Sequence, residues 1–406
     1  KKQVYDASPV PHSLTHDFYK GDRGFAKIIG DKKPAYGYMP ISKAIKQIEN
    51  SKTCPRYIKI PLPKDSANQE KRSWIELRIK RDNLLQDNVA LLDILANFKW
   101  ERPLYFINAP QTLGAFPGLM DYVQIEGALS KLVPFYNGQY TQTKLIEKSQ
   151  KIQEEQKKQD PTKAEKIKKM SDNLNNLSNK HNKRLAATKA DQEEINIDKS
   201  YDLLMNKYSY GNLSDPNVNY CHYTDRSISG FRSPFERLSQ KLIQKGDNEI
   251  DSLADKYYDK AESLADKYFK SIPYHTGRYE RVSVQMAGVY VKTNPEKGEK
   301  IINELLNEYQ TQKTYLELVP NLEGEGEYLL KQLTIPMLNQ LNQYSKTISN
   351  KKKLEQAETE REKNEADGKG RFSNAELEEN EKVKKELEQA EIEREKNEDE
   401  GKGRFT

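Results

Sequence analysis

The sequence is poor in the residues from which most catalytic and metal chemistry is built. Among 406 residues there are two cysteines (Cys54 and Cys221), two tryptophans and five histidines. Two thiols exclude a disulfide framework and a four-cysteine metal site. Two unpaired thiols are the expectation, with a single Cys54–Cys221 bridge as the alternative in an oxidising compartment. Long apolar runs are missing as well. The longest approach, Val89 to Phe98, is broken by Asp93 and Asn97, short of the ~18 consecutive apolar residues that a membrane-spanning helix needs. Neither charge dominates: 67 Lys and Arg against 62 Asp and Glu give a net charge of +5, which offers no electrostatic reason to expect nucleic acid. No G-x-S-x-G, Walker loop or dinucleotide fingerprint occurs. The Gly21-Asp22-Arg23-Gly24 and Gly324 to Gly326 stretches lack the strand and helix that such loops require. The chain opens at Lys1 with neither signal peptide nor apolar anchor, which reads as a processed chain or a fragment.

The titratable residues that remain form no constellation. His12 and His16 stand four apart beside Asp17, but Pro9, Pro11 and Ser13 argue against a helix presenting both rings together. His222 beside Cys221 in an extended segment would point away from it. No catalytic residue, metal site or cofactor is assigned. Asp121 and Glu126 suit a helix cap and a salt bridge better than a carboxylate pair. Arg102, between Trp100 and Pro103, is expected to be buried and paired with a carboxylate, Glu126 being the candidate, as a structural lock. Arg102→Ala is then expected mainly to lower stability. Tyrosine is abundant, at 24 residues. Several lie near turns, among them Tyr36, Tyr38, Tyr136 and Tyr210, and suit a sugar- or peptide-contacting surface. Half-buried rims are the simpler reading.

What is plentiful is charge, at 32% of residues against 35% hydrophobic, and it is stored in two places. The first, 147–195, has long polar side chains with Ile167, Met170 and Leu174 at helical spacing. It reads as a charged helical insertion, one amphipathic arm or a pair hinged near Asp160-Pro161. The second, 350–406, contains a repeat: Leu354 to Phe372 returns as Leu387 to Phe405, identical at 16 of 19 positions. It reads as a solvated duplicated tail, helical or disordered, because each copy has almost no apolar face to pack.

The rest can fold. An α+β chain is expected: an α/β domain over 1–146, the insertion over 147–195, a helical-hairpin, tetratricopeptide-like domain over 196–349, and the tail. Trp74 to Lys80 alternates as a half-buried strand, and Ile58 to Pro63 and Leu104 to Ile107 are short extended runs. Val89, Leu92 and Leu95 predict a helix capped by Asp87. Strand, helix and strand there suggest one α/β unit. Leu119 to Phe135 is ambiguous in period. Later, Asp198 caps a short helix, Phe235 to Ile243 lies in a helix closed by Gly246, and a longer helix runs to Pro273. Tyr279 to Lys292 and Pro295 to Gln310 form a second pair.

The segments Ala90 to Phe106, Gly118 to Phe135, Ser200 to Val218 and Arg232 to Asp247, in this order, resemble the soluble C-terminal region of bacterial protein O-mannosyltransferase-like multi-spanning membrane proteins. That family is related to a vertebrate transmembrane O-mannosyltransferase ending in tetratricopeptide-like repeats. The resemblance runs from Met39 to Gln310 apart from the insertion. Its most specific parts are W-x-R-P-[LI]-Y-F and [QV]-x-E-G, matched here by Trp100, Arg102, Pro103, Tyr105, Glu126 and Gly127, with Leu132 and Pro134 following. Ser130 and Lys131 depart from it, where an aromatic and an arginine are expected. The resemblance implies an extracytoplasmic (periplasmic) accessory domain, with glycosyl transfer performed by a membrane-embedded portion upstream and the helical hairpins docking acceptor proteins. The alternative is a non-enzymatic adaptor using a tetratricopeptide-like groove. Asp65-Ser66-Ala67 and Asp251-Ser252-Leu253 look like short bacterial O-glycosylation acceptor sequences, a match that three residues often make by chance.

Overall fold

The computed structural model describes residues 26–35, 37–63, 73–157, 164–185, 193–215, 217–218, 222–249, 252–273, 281–319 and 324–366. Asp65-Ser66-Ala67, Asp160-Pro161, His12, His16, Cys221, His275 and the second tail repeat lie outside them, as does Asp251. The chain divides into two compact units, 1–200 and 201–406.

The first unit is built on three small sheets. Strands β1 (Ala26–Ile29), β3 (Thr53–Pro55) and β6 (Asn83–Leu84) form one in the order β3-β1-β6; β2 (Met39–Pro40), β4 (Tyr57–Pro61) and β5 (Trp74–Arg78) form the second in the order β2-β4-β5. Alternation does what the sequence predicts in β5: Ile75, Leu77 and, just beyond the strand, Ile79 are buried, while Trp74, Glu76 and Arg78 face out. Between β2 and β3 runs helix α1 (Ile41–Ser51), which buries Ile41, Ala44, Ile45 and Ile48. That is the i, i+3, i+4, i+7 stripe of an amphipathic helix, and Lys52 closes it in the left-handed region at φ 49°. The parallel pairing of β2 with β4 makes this the crossover unit. The strand–helix–strand expected around Val89 is not one. Helix α2 (Gln86–Ala96) leads from β5 and β6 to β7 (Tyr105–Phe106), which joins a different sheet. Asp87 is not its cap either. Leu85 holds the cap position and Asp87 lies in the first turn, accepting from the Asn88 amide at 2.8 Å.

Arg56 ties the first two sheets together. Its buried guanidinium reaches Asp82 at 2.6 Å, Asp31 at 3.2 Å and the Ile79 carbonyl at 3.3 Å. Cys54 is a free, fully buried thiol, which burial pushes up to about 12; a thiol held neutral in this way is unreactive.

The insertion is a pair of helices, α3 (Gln139–Lys157) and α4 (Ala164–Leu185), packed on each other. A short helix α5 (Ile197–Asp202) follows. Its first turn is capped by the Asn196 side chain, which accepts from the Lys199 amide at 3.1 Å, and not by Asp198.

The second unit is helical: α6 (His222–Asn248), α7 (Ser252–Ser271), α8 (Arg281–Thr293), α9 (Pro295–Leu318) and α10 (Ile335–Ala366). Each packs on its successor, and in addition α6 meets α8 and α8 meets α10. First helix on first helix of the next pair is the arrangement of stacked helical hairpins. Gly246 does not end α6; it is buried, and a Cβ there would stand 2.7 Å from the Tyr258 ring, so it permits close approach of α7. Gly288 does the same between α8 and α10, 2.6 Å from the Tyr344 hydroxyl. The fully buried Arg232 donates from Nη2 to the Pro273 carbonyl at 3.0 Å, tying the first half of α6 to the residues just past α7. The tail begins as structure, since α10 carries the chain through residue 366.

Candidate functional site

The ambiguous stretch after Gly118 resolves into a 3-10 turn (Pro117–Tyr122) and a hairpin of β8 (Val123–Glu126) and β9 (Leu129–Leu132). With β7 it makes the third sheet, in the order β7-β9-β8 and antiparallel throughout. Glu126 pairs with Leu129, leaving Gly127 and Ala128 as a two-residue loop. Gly127 has φ 62°, and glycine at the first central position is the signature of the II′ turn that fits strand twist. Its amide donates to Ser200 Oγ at 2.9 Å, and that buried hydroxyl donates in turn to the Ile125 carbonyl at 3.4 Å. The segment before Ser200 runs alongside β8: Ile125 N–H donates to Glu194 at 2.7 Å and Asn196 N–H to Ile125 at 3.0 Å.

This sheet assembles the polar centre. Tyr105 lies opposite Lys131 across β7 and β9, and Lys131 lies opposite Gln124 across β9 and β8. The Glu126 carboxylate, 6% exposed, serves both neighbours. Its Oε2 accepts from the Tyr105 hydroxyl at 2.7 Å and its Oε1 from Lys131 Nζ at 3.1 Å. Lys131 also stands 6.0 Å from the Tyr105 ring centroid, and Tyr105 is 39% exposed. A carboxylate with one oxygen to each partner is held in place by both.

The lock expected between Arg102 and Glu126 does not form. Arg102 is exposed, as are Glu101 and Pro103. Glu126 is engaged instead by residues on its own sheet, where strand register sets the distances. The basic partner is Lys131, at one of the two positions that depart from the family pattern. Trp100 is anchored elsewhere: its indole N–H donates to the Pro61 carbonyl at 3.0 Å, and its ring meets Phe98 at 4.8 Å. Its φ of 63° is uncommon for a bulky residue and costs of order 1–3 kcal/mol, so the indole contacts hold a strained turn. Of the six candidate residues, Tyr105, Glu126 and Gly127 therefore converge, Trp100 braces the turn into β7, and Arg102 and Pro103 lie on the surface.

A second polar cluster, in which sequence reasoning singled out only separate members, docks the helical pair. Asp121 accepts from the Thr141 amide at 2.8 Å and hydroxyl at 2.6 Å, capping α3. His181 on α4 is 2% exposed; its Nδ1 meets the Tyr136 hydroxyl at 3.0 Å, while Nε2 has no hydrogen-bond partner. The Arg184 guanidinium lies 3.3 Å from the Tyr136 ring centroid and donates to the Tyr122 hydroxyl at 2.9 Å. Burial raises Asp121 above the usual carboxylate range against the pull of the Thr141 bonds, and burial lowers His181, helped by Arg184 and opposed by Asp121. Burial and the Asp121 charge push the Tyr136 phenol up to about 12. The available signal was His181 and Arg184 at i, i+3 on a helix rich in Lys and Asn. Asp121 and Glu126 thus act separately, as a cap and an ion pair.

Among the described residues no group of three or more His, Cys, Asp or Glu is arranged to hold a metal ion, and no helix is long and apolar enough to cross a membrane. One comparison with known families then decides what this unit is similar to. Residues 26–155 match the family model described as TMEM260-associated domain 2. The match spans all three sheets and most of α3. It takes in the Tyr105–Glu126–Lys131 centre and the Trp100 turn, and begins earlier than the Met39 where the family resemblance starts. A TMEM260-associated domain agrees with the O-mannosyltransferase-related family that these segments resemble. Neither the curated proteins nor the solved structures contain a match to the chain.

Proposed function

We propose that this chain is the extracytoplasmic accessory domain of a membrane-embedded glycosyltransferase of the protein O-mannosyltransferase-like kind. The match of residues 26–155 to TMEM260-associated domain 2 carries this reading. In it, sugar transfer belongs to a membrane portion. The α/β unit packs on that portion through the surface around Tyr105 and the Trp100 turn, and the hairpins of α6 to α10 receive acceptor protein. The Glu126 carboxylate, bonded to Tyr105 and Lys131, fits such a role because it holds that surface in shape. Protease added to intact spheroplasts tests the placement: the chain, detected in its native gene product, should be degraded and should stay with membranes through a carbonate wash. Protection from protease, or release by the wash, would refute it. A second reading, a free adaptor, is favoured by the hairpin stacking of the second unit. It predicts a stoichiometric protein partner in pull-downs of the native protein and no glycosylation defect on deletion.

A further inference from the structure

The β2-β4-β5 sheet turns its second face to solvent. Alternation sends Ile58, Ile60, Ile75 and Leu77 into the core and leaves the odd positions of β4 and the even positions of β5 outside. Register then sets them in rows: Tyr57 opposite Arg78, Lys59 opposite Glu76, Pro61 opposite Trp74. Strand β2 adds Pro40 beside Lys59, and Tyr38, one residue before it, meets the Tyr57 ring edge-on at 5.7 Å. A tyrosine pair thus stands at one end and the 37% exposed Trp74 at the other. They are four residues apart along the strand, about 13 Å at ~3.3 Å per residue. Two ammonium groups lie over the outer rings, Lys33 4.5 Å from Tyr38 and Lys59 4.7 Å from Trp74.

We propose that this face binds an oligosaccharide, its end sugars stacked on Trp74 and on the tyrosine pair and its hydroxyls held by Lys59, Glu76 and Arg78. Hydroxyls both donate and accept, so the Lys59–Glu76 row at the centre matches them from both sides. Pro40 lies beside Lys59 on β2, and Pro61 stands in the next row, opposite Trp74. Single-stranded nucleic acid also stacks on aromatic sheet platforms, but its phosphates would meet the Glu76 carboxylate in the middle of the face. The span is longer than one sugar ring, which calls for a linked chain. Lysine ammoniums resting on exposed rings are held weakly, and their flexible stems let them swing to the rim as a sugar arrives. The proposal stands on this face alone and holds whether or not the chain serves a glycosyltransferase.

The test titrates the full chain with maltohexaose, cellohexaose and a linear mannohexaose, and with a dT15 oligonucleotide, following tryptophan emission and calorimetry. At least one hexasaccharide should bind with a Kd of about 1 mM or tighter. Trp74→Ala and Glu76→Ala should each weaken that binding about tenfold or more by calorimetry, and Glu76→Ala should leave the unfolding midpoint unmoved because its side chain is exposed. Glu76→Gln, which keeps the shape, should weaken it as well and serves if the alanine variants fold poorly. No binding of any hexasaccharide would overturn the proposal, as would binding indifferent to Trp74 and Glu76. Binding of dT15 that strengthens in Glu76→Gln would place nucleic acid there instead.

Discussion

Asp93 offers the sharpest test of the energetics of the first unit. It sits on α2, fully buried, with Oδ1 accepting from the Asn97 amide at 3.2 Å and Oδ2 without a partner. Glu49 on the neighbouring α1 also has a buried carboxylate oxygen without a partner. Burial first, then the Glu49 charge, push the Asp93 carboxyl from its ordinary 3.8 up to about 6, against the Asn97 bond. The folded protein therefore binds a proton that the unfolded chain releases between about pH 4 and 6. A raised folded pKa means stability that is present below pH 4, declines as pH rises through about 6, and is gone above it. A rise of that size corresponds to about 3 kcal/mol at ~1.36 kcal/mol per tenfold change in proton affinity, an upper figure, since relaxation around the charge recovers part of it. Asp93→Asn removes the titration and the charge that faces Glu49 electrostatically. For a unit of 200 residues the gain at pH 7.5 should raise the unfolding midpoint by at most about 6–12 °C, at ~2–4 °C per kcal/mol. Both tryptophans, Trp74 and Trp100, lie in this unit, so their fluorescence during heating of the full chain reports on it alone. The advantage of Asp93→Asn over the wild type should widen from pH 5 to pH 7.5, since Asp121 and His181 titrate alike in both. An equal difference at both pH values, or Asp93→Asn destabilising at each, would refute the argument.

Other outcomes follow from the same reasoning. Glu126→Ala leaves the Tyr105 hydroxyl and the Lys131 ammonium without their acceptor and should cost about 1–3 kcal/mol, read by the same fluorescence, whereas Arg102→Ala on the exposed surface should stay within about 0.5 kcal/mol. Gly138→Ala should release α3 and α4 from the core, since φ is 71° and the new Cβ would stand 2.5 Å from His181 Cε1; amide exchange in α4 should rise by orders of magnitude while exchange in β4 is unchanged. Gly288→Ala must displace the buried Tyr344 ring and should cost about 1–3 kcal/mol by overpacking, visible as an earlier helical transition by circular dichroism with the tryptophan signal unaffected.

Periodicity carried far in this chain, and pairing did not. Residues 74–80 announce a half-buried strand because one face is all Ile and Leu, and α8 and α9 are legible from their apolar stripes and the intervening Asn294-Pro295. Which strand pairs with which depends on contacts that no local pattern encodes. The helix around Val89 reads like a crossover, and the true crossover, α1, is carried by the short stripe of Ile41, Ala44, Ile45 and Ile48. Caps misled in the same way: Asp87 and Asp198 have the right chemistry two positions too late. In the candidate site, Tyr105, Glu126 and Gly127 were readable as residues that matter together. The partner of Glu126 was not, because strand register brings Lys131 opposite Tyr105 whereas Arg102 lies in a turn whose direction is set by the positive φ of Trp100. His181 gave only the sign of its i, i+3 spacing to Arg184, on a helix that composition marks as solvated.

The measurement that bears most directly on the function is the O-linked sugar content of extracytoplasmic proteins. It is read by mass spectrometry of peptides from cells with the native gene and from cells whose gene lacks the segment encoding this chain. An accessory domain of a glycosyltransferase predicts that hexose on Ser and Thr of the acceptor proteins falls sharply on deletion and returns when the intact gene is restored. Unchanged occupancy at those sites, with the truncated membrane portion still present, would contradict it.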